Sequence, residues 1–168
     1  MSLQNLRQEI ATLYHGTSCV FDRFIPSLTG AQGPGIYMTD TPSTYGSICM
    51  HLRVNMMNPY IFRPSDESLE AEINYELIEQ VLPSAIAQSV LRRIEEQGPG
   101  AYGYEVQNVL KAQGHDGILM IYPFGEAVLE GTDGAAVVIA FDPDQVEVIG
   151  IARSISAYRD SDNSTKVA

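Results

Sequence analysis

The spacing of apolar residues changes at Gly114, and this change constrains the fold more than any other feature of the chain. Upstream, apolar residues recur every three to four positions, which is typical of amphipathic helices. Downstream, they form short runs bounded by turn residues, which is typical of strands. The pattern predicts three helices, over 66–82, 83–96 and 103–112, the last ending at Gly114. It then predicts strands over 118–122, 127–130, 136–141 and 146–152.

The front third mixes both periods. Strands are predicted over 11–15, 36–38 and 52–57, and helices over 3–10 and 43–50. The second helix is expected because Asp40-Thr41-Pro42-Ser43 carries the chemistry of a helix start. These elements predict an α+β fold in which strands from the front and back thirds pair. We expect one domain over 1–155, with its helical segment at about 66–112, and a polar, disordered tail over 156–168.

Composition excludes several classes of partner. The 168 residues carry a net charge of −11, which disfavours general binding to nucleic acids and to anionic membranes. No apolar run is long enough for a membrane span or a signal peptide, so a cytoplasmic protein is expected. Cys19 and Cys49 are interpreted as buried thiols. Neither their spacing nor that of the histidines indicates a metal site, so no metal is expected.

Tyr14-His15-Gly16-Thr17 is the first candidate binding motif, a strand that runs into a glycine. Glycine lets a ligand approach the backbone closely, and the histidine can form a hydrogen bond with a ribose hydroxyl. A single histidine at a strand end is also commonly structural.

The second candidate motif is Gly33-Pro34-Gly35-Ile36-Tyr37-Met38-Thr39-Asp40. Its glycines open the chain beside Tyr37. The tyrosine either packs in the core or stacks on an aromatic ligand, a contact worth about 0.5–1.5 kcal/mol beyond the burial of its area.

These two motifs occur in an order that resembles the ADP-ribosyltransferases. The matching segments of the front half are His15-Gly16-Thr17, Phe21, Phe24, Gly33 to Asp40, and Asn58-Pro59. In the back half, Leu110 to Ile118 and Val137 to Val146 resemble the family's later motifs. The likeness is to the histidine–tyrosine–glutamate branch, which includes poly(ADP-ribose) polymerases and diphtheria-type toxins. It is greatest to small transferase-like domains of phage and mobile elements, and residues 62–105 match no part of the family.

The resemblance implies a split β-sheet core with an inserted helical segment and NAD as a substrate. It implies that His15 binds the adenosine-side ribose, Gly16 binds the nicotinamide carboxamide and Tyr37 stacks on the nicotinamide ring. Tyr45 is a candidate for the second aromatic wall, where the family's usual position holds Ile48, although Tyr45 is equally compatible with simple packing. The implied NAD-binding set is His15, Gly16, Thr17, Gly35, Tyr37 and Tyr45.

The chain departs from the family where the catalytic glutamate is expected, because that position is Val137. A valine cannot accept a hydrogen bond or stabilise a positive charge on ribose. Three interpretations stay open: a carboxylate borrowed from the acceptor, a role for Glu130 or Asp133, or loss of catalysis. Tyr37 and Glu130 are therefore the candidate catalytic residues, and both also have structural interpretations.

Two functions follow from the resemblance. The first is an NAD-dependent mono-ADP-ribosyltransferase, or an NAD glycohydrolase, acting on an unknown protein or other macromolecular acceptor, in the cytoplasm or as an effector delivered into a host cytosol. The second is a catalytically degenerate module that binds NAD, ADP-ribose or a protein. A third class, a hydrolase or nuclease built on His15, His51 or His115, lacks any supporting spacing.

Overall fold

The computed structural model describes residues 10–42, 45–65, 70–123 and 134–153. The strands are β1 (Ile10–Thr17), β2 (Ile36–Thr39), β3 (Ile48–Val54), β4 (Tyr60–Phe62), β5 (Gly117–Ile121), β6 (Ala136–Ala140) and β7 (Val146–Arg153). The helices are α1 (Glu70–Val81), α2 (Ser84–Gln97) and α3 (Glu105–Ala112). The predicted α+β class is confirmed. Among the described helices, none has the length and apolar character needed to cross a membrane.

All seven strands join one mixed sheet, in the order β4-β5-β6-β2-β1-β3-β7. The predicted pairing between front and back thirds is confirmed, because β2 pairs with β6 and β3 pairs with β7. Within the described residues, β1 and β2 share one register pair, Tyr14 with Thr39. By contrast, β1 and β3 are paired from Ile10 to Thr17. The short pairing between β1 and β2 divides the sheet into two halves, one formed by β4, β5, β6 and β2 and the other by β1, β3 and β7.

Two hydrophobic clusters stabilise this arrangement. The first contains Leu13 and Leu52 from one half of the sheet and Met38 and Val138 from the other, all at most 1% exposed. The second lies between the half containing β5 and the three helices, with Leu110 of α3 in its centre. Each fully buried aliphatic side chain contributes about 1.5–3 kcal/mol. The clusters fix where β1 and β2 separate.

The helices follow the predicted spacing, and α3 ends as expected at Gly114. The glycine has a φ of 88°, its N–H donates to the carbonyl of Lys111 at 3.0 Å, and the N–H of His115 donates to the carbonyl of Leu110 at 2.9 Å. This is the Schellman arrangement, which satisfies carbonyls left free at a helix end. The chain is thereby turned directly into β5.

The helix predicted over 43–50 is wrong. Gly46, with a φ of 70°, precedes β3, which pairs with both β1 and β7. Pairing on both edges outweighs the local helix-start signal. The strand predicted over 52–57 accordingly ends at Val54, and the short strand β4 was not predicted.

Other expectations fall partly or wholly on residues that the structure does not describe. The helix over 3–10 lies outside the described residues except for Ile10, which belongs to β1. The strand over 127–130 and the tail over 156–168 also lie outside them. The domain bounds of 1–155 stay a prediction.

Three of the family-like motifs form one hydrogen-bonded unit around Asp116. Its carboxylate accepts from the backbone N–H groups of Met57 and Asn58 at 2.6 and 3.0 Å. The Asn58 side chain donates to the carbonyl of Gly114 at 3.1 Å, and Gln145 donates to the carbonyl of Asp116 at 3.0 Å. These motifs join the end of β3 to the starts of β5 and β7, so their role is structural.

Candidate functional site

Two adjoining cavities open where β1 and β2 separate. The first, here called the glycine-side cavity, has a volume of about 500 Å³ and is lined by Tyr14, His15, Gly16, Thr17, Ser18, Cys19, Tyr37, Thr39 and Tyr45. The second, the phenylalanine-side cavity, has a volume of about 440 Å³ and is lined by His15, Phe21, Arg23, Phe24, Ile25, Ser27, Gly35, Ile36 and Tyr37. His15 and Tyr37 line both cavities.

The residues implied for NAD binding are thus brought together. His15, Gly16 and Thr17 come from β1 and reach the glycine-side cavity together with Tyr37 and Tyr45. Gly35 lines the phenylalanine-side cavity instead. Glu130 and Asp133, the candidate replacement carboxylates, lie outside the described residues.

His15 connects the two halves of the sheet. Its Nδ1 lies 2.8 Å from the backbone carbonyl oxygen of Tyr37. A carbonyl only accepts, so Nδ1 carries the proton, and in the neutral ring Nε2 is left as an acceptor. The ring packs edge-on against Phe24 and Phe21, with centroid separations of 5.1 and 6.2 Å. Main-chain and aromatic contacts therefore fix its orientation.

Tyr37 is half-buried, and its hydroxyl is held by the loop that precedes β2. The hydroxyl donates to the carbonyl of Gly33 at 2.6 Å and accepts from the N–H of Gln32 at 3.0 Å. Burial raises the pKa of this phenol far above its ordinary value. The hydroxyl therefore stays protonated at neutral pH and is unsuited to act as a base. The side chain also packs against the second core cluster, as the structural interpretation of Tyr37 expects.

The loop around the Tyr37 hydroxyl is also held by the helical layer. Gln107 of α3 donates a buried hydrogen bond to the carbonyl of Pro34 at 3.0 Å, and Gly33 packs against the ring of Tyr102. Gly30 lies so close to the Tyr37 ring that a Cβ atom at this position would overlap it. Nothing in the local sequence distinguishes Gly30 or Gln107, so neither residue was predicted.

Tyr45 is 76% exposed and lines the glycine-side cavity. Its position depends on Gly46, whose backbone lies against the carbonyl of Thr17 and whose φ is 70°. A side chain at Gly46 would overlap that carbonyl. Gly46 thus joins the Tyr45 segment to the end of β1, and its glycine identity is the one sequence signal that could have pointed to it.

A short turn closes the end of β1. The hydroxyl of Thr17 accepts from the N–H of Cys19 and donates to its carbonyl, both at 3.3 Å. The Thr17 hydroxyl is thereby engaged by the backbone of Cys19. Cys49 is buried, but Cys19 is exposed on the cavity wall, so the prediction that both thiols are buried is wrong for Cys19.

The position expected for a catalytic glutamate is close to the cavities but carries no acid. Val137 of β6 is paired with Thr39 of β2 and is half-buried against the second core cluster. Among the described residues that line the two cavities, none is an aspartate or a glutamate.

Asp40, one residue beyond Thr39, is 2% exposed, and neither of its carboxylate oxygens has a hydrogen-bond partner in the described part of the chain. Burial raises the pKa of this carboxyl. Asp40 was predicted to start a helix over 43–50, but the chain from Ile48 belongs to β3 instead. Asp40 lines neither cavity.

The three histidines do not form a joint site. His51 packs edge-on against Tyr14 at 5.0 Å, and His115 lies 3.0 Å from the carbonyl of Asn58. In the ranges that the structure covers, no group of three or more His, Cys, Asp or Glu side chains is arranged to hold a metal ion. This geometry gives no support to a histidine-based hydrolase or nuclease.

Comparisons with family models, curated proteins and solved structures return no match for this chain. The proposals below are therefore supported by the residues of the two cavities.

Proposed function

We propose that the two cavities bind NAD and that the protein is a mono-ADP-ribosyltransferase or an NAD glycohydrolase. The observation that carries the proposal is the pair of adjoining cavities joined at His15 and Tyr37. A dinucleotide has two flat ring systems separated by riboses and phosphates, so it requires two compartments with a shared middle.

The glycine-side cavity suits the nicotinamide half. Tyr37 and Tyr45 both line it, and two aromatic rings are the natural walls for a flat pyridinium ring. The main chain at Gly16 lies in the same cavity, where no side chain blocks the approach of a carboxamide. The acceptor nitrogen of His15 is available to a ribose hydroxyl.

The phenylalanine-side cavity suits the adenosine half, because its walls are mainly apolar. Phe21 is partly buried and packs edge-on, with centroids 4.8 Å apart, against Phe24, which is 5% exposed and belongs to the first core cluster, so Phe21 supplies the accessible part of this aromatic wall. Purines bind to such surfaces by stacking and by exclusion of water.

The chemistry needed is cleavage of the bond between ribose C1′ and the nicotinamide nitrogen. The bonding electrons leave with nicotinamide, which departs as a neutral molecule and needs no acid. Water or an acceptor side chain attacks C1′ and loses its proton to solvent. The site contributes orientation and stabilisation of the positive charge that develops on ribose. Tyr37 and Glu130 remain the candidate residues for these roles.

A second function, a module that binds NAD without cleaving it, is favoured by one specific observation. Val137 stands at the glutamate position, and the described lining of both cavities lacks a carboxylate. A module of this kind binds NAD and releases no nicotinamide.

The test is to incubate the protein with NAD, measure binding calorimetrically and quantify released nicotinamide. Tyr45→Ala removes an exposed cavity wall and is expected to weaken binding about fivefold to tenfold. Tyr104→Ala removes a tyrosine that is 48% exposed and lines neither cavity, and it serves as the matched control. Binding with release supports the enzyme, and binding without release supports the module. An absence of binding to the wild-type protein refutes both.

A further inference from the structure

The cavities carry very little positive charge. Arg23 is the one lysine or arginine among the described residues that line them, in a protein with a net charge of −11. The repulsive field of such a protein opposes the approach of a phosphate-bearing ligand. A local cation at the cavity has to offset that repulsion.

Arg23 is free to meet a ligand. Its side chain is 77% exposed, and its guanidinium lies 3.7 Å from the carboxylate of Asp144, which is itself 86% exposed. Ion pairs of this kind contribute little to stability, because water competes for both partners. Exchange of Asp144 for a phosphate therefore costs little.

The guanidinium also has the shape that a phosphate requires. Arginine presents parallel N–H donors that bind two phosphate oxygens at once, and such charge-assisted bonds are stronger than neutral ones. Arg23 belongs to the segment between Phe21 and Phe24, so its backbone is held beside the aromatic wall of the cavity and beside His15.

We propose that Arg23 is the phosphate-recognition residue of this site. It binds the pyrophosphate of the dinucleotide, and Asp144 competes with that ligand for the guanidinium. The inference rests on the proposed function, since it takes NAD to be the occupant of the cavities. It makes the affinity for NAD depend on one arginine and one competing carboxylate.

The experiment compares the affinities of NAD, nicotinamide riboside and adenosine for four proteins, since the last two compounds represent both halves of NAD without its phosphates and neither should respond to the loss of Arg23. The variants are Arg23→Ala, Asp144→Asn and Arg92→Ala, the last being an exposed arginine of α2 that lines neither cavity. Arg23→Ala is expected to weaken NAD about tenfold and leave nicotinamide riboside and adenosine unchanged. Asp144→Asn is expected to strengthen NAD about twofold to threefold, and Arg92→Ala to have no effect.

Salt provides a second readout that a structural role would not change. The affinity of the wild-type protein for NAD should fall as salt rises from 50 to about 300 mM, and the dependence should be weaker in Arg23→Ala. Equal NAD affinity in wild type and Arg23→Ala overturns the inference while the proposed function stands. Equal losses for NAD and for either phosphate-free compound also overturn it. A wild-type protein that binds none of the three compounds refutes the proposed function and the inference together.

Discussion

The side chain of Gln107 and the carbonyl of Pro34 form a buried hydrogen bond of 3.0 Å that links α3 to the loop before β2. The two residues are 73 positions apart, and each is buried. The helical layer thereby holds the same loop that forms hydrogen bonds with the hydroxyl of Tyr37. The position of the candidate site thus depends on residues remote from it in sequence.

Replacement of Gln107 by Leu is expected to lower the free energy of unfolding by about 1–3 kcal/mol, because it leaves the carbonyl of Pro34 buried without a partner. Urea unfolding measures the change. Gln88→Leu, at an exposed position of α2, is the control and should stay within about 0.5 kcal/mol of wild type. Equal stability of the two variants would show that the bond contributes nothing.

The hydroxyl of Tyr37 is expected to stabilise the loop in a pH-dependent way. Tyr37→Phe removes two hydrogen bonds and should cost about 1–3 kcal/mol at pH 8. Burial raises the pKa of this phenol above its ordinary 10.0, so the folded state disfavours ionisation. The wild-type protein therefore loses stability as pH rises above about 10, and the phenylalanine variant lacks this loss.

The difference in stability between wild type and Tyr37→Phe should accordingly narrow above pH 10. Tyr60→Phe is the control, since Tyr60 is half-buried and its hydroxyl makes no hydrogen bond within the described residues. Denaturant unfolding at pH 8 and pH 10.5 measures both effects. A difference that is constant across this range contradicts the prediction.

Asp40→Asn is expected to stabilise the protein at neutral pH. The buried carboxyl has a pKa raised above its ordinary 3.8, so the folded state binds the proton more tightly than the unfolded state does. The cost of ionisation is absent below pH 3.8, grows as pH rises through the raised pKa and is complete above it. Removal of the charge should therefore raise the free energy of unfolding at pH 7.

At pH 3.5 the asparagine variant and the wild-type protein should differ little, because the wild-type carboxyl is then largely protonated in both states. Thermal unfolding across pH 3.5–7.5 follows the difference. Asp142→Ala, at an exposed capping residue, should instead destabilise at neutral pH, since it removes the carboxylate that accepts from the N–H of Asp144 at 2.9 Å. A loss of stability in Asp40→Asn at pH 7 would refute the argument.

Gly46→Ala should destabilise the protein more than Gly114→Ala. Both glycines have positive φ, 70° and 88°, which costs alanine about 1 kcal/mol. At Gly114 nothing lies within 4 Å of an added Cβ, whereas at Gly46 the Cβ would overlap the carbonyl of Thr17. We expect an additional loss of about 1–3 kcal/mol at Gly46, measured by thermal unfolding. Equal effects would mean that the Tyr45 segment moves aside freely.

The sequence predicted the three helices and most of the strands, but it missed β4 and the start of β3, which are strands because they pair with remote segments. The three helices were predicted because apolar residues within each of them recur with helical spacing. Examples from the buried faces are Leu77 of α1, Val90 of α2 and Leu110 of α3. The segment from Ile48 was predicted as a helix, yet it is a strand because β1 and β7 flank it. No local pattern reports the identity of such neighbours.

The same distinction applies to the candidate site. His15, Gly16 and Tyr37 were selected from two short motifs, and they line one cavity because β1 and β2 are adjacent. Gly46 and Gln107 escaped notice, since their importance comes from contacts with Thr17 and Pro34, remote in sequence. The role of Glu130 stays a prediction because it lies outside the described residues.

The junction between Tyr14 and Thr39 has a mechanical consequence. β1 and β2 share one register pair in the described part of the chain, the fewest of any neighbouring strands in the sheet, and the two parts are otherwise joined by the bonds from His15 to Tyr37 and from Thr39 to Tyr14 and by the first core cluster. A ligand that contacts both His15 and Tyr37 would link β1 to β2 across this junction. Backbone amide hydrogens of β1 and β2 should then exchange more slowly when the ligand is bound, although no strand has been added to the sheet.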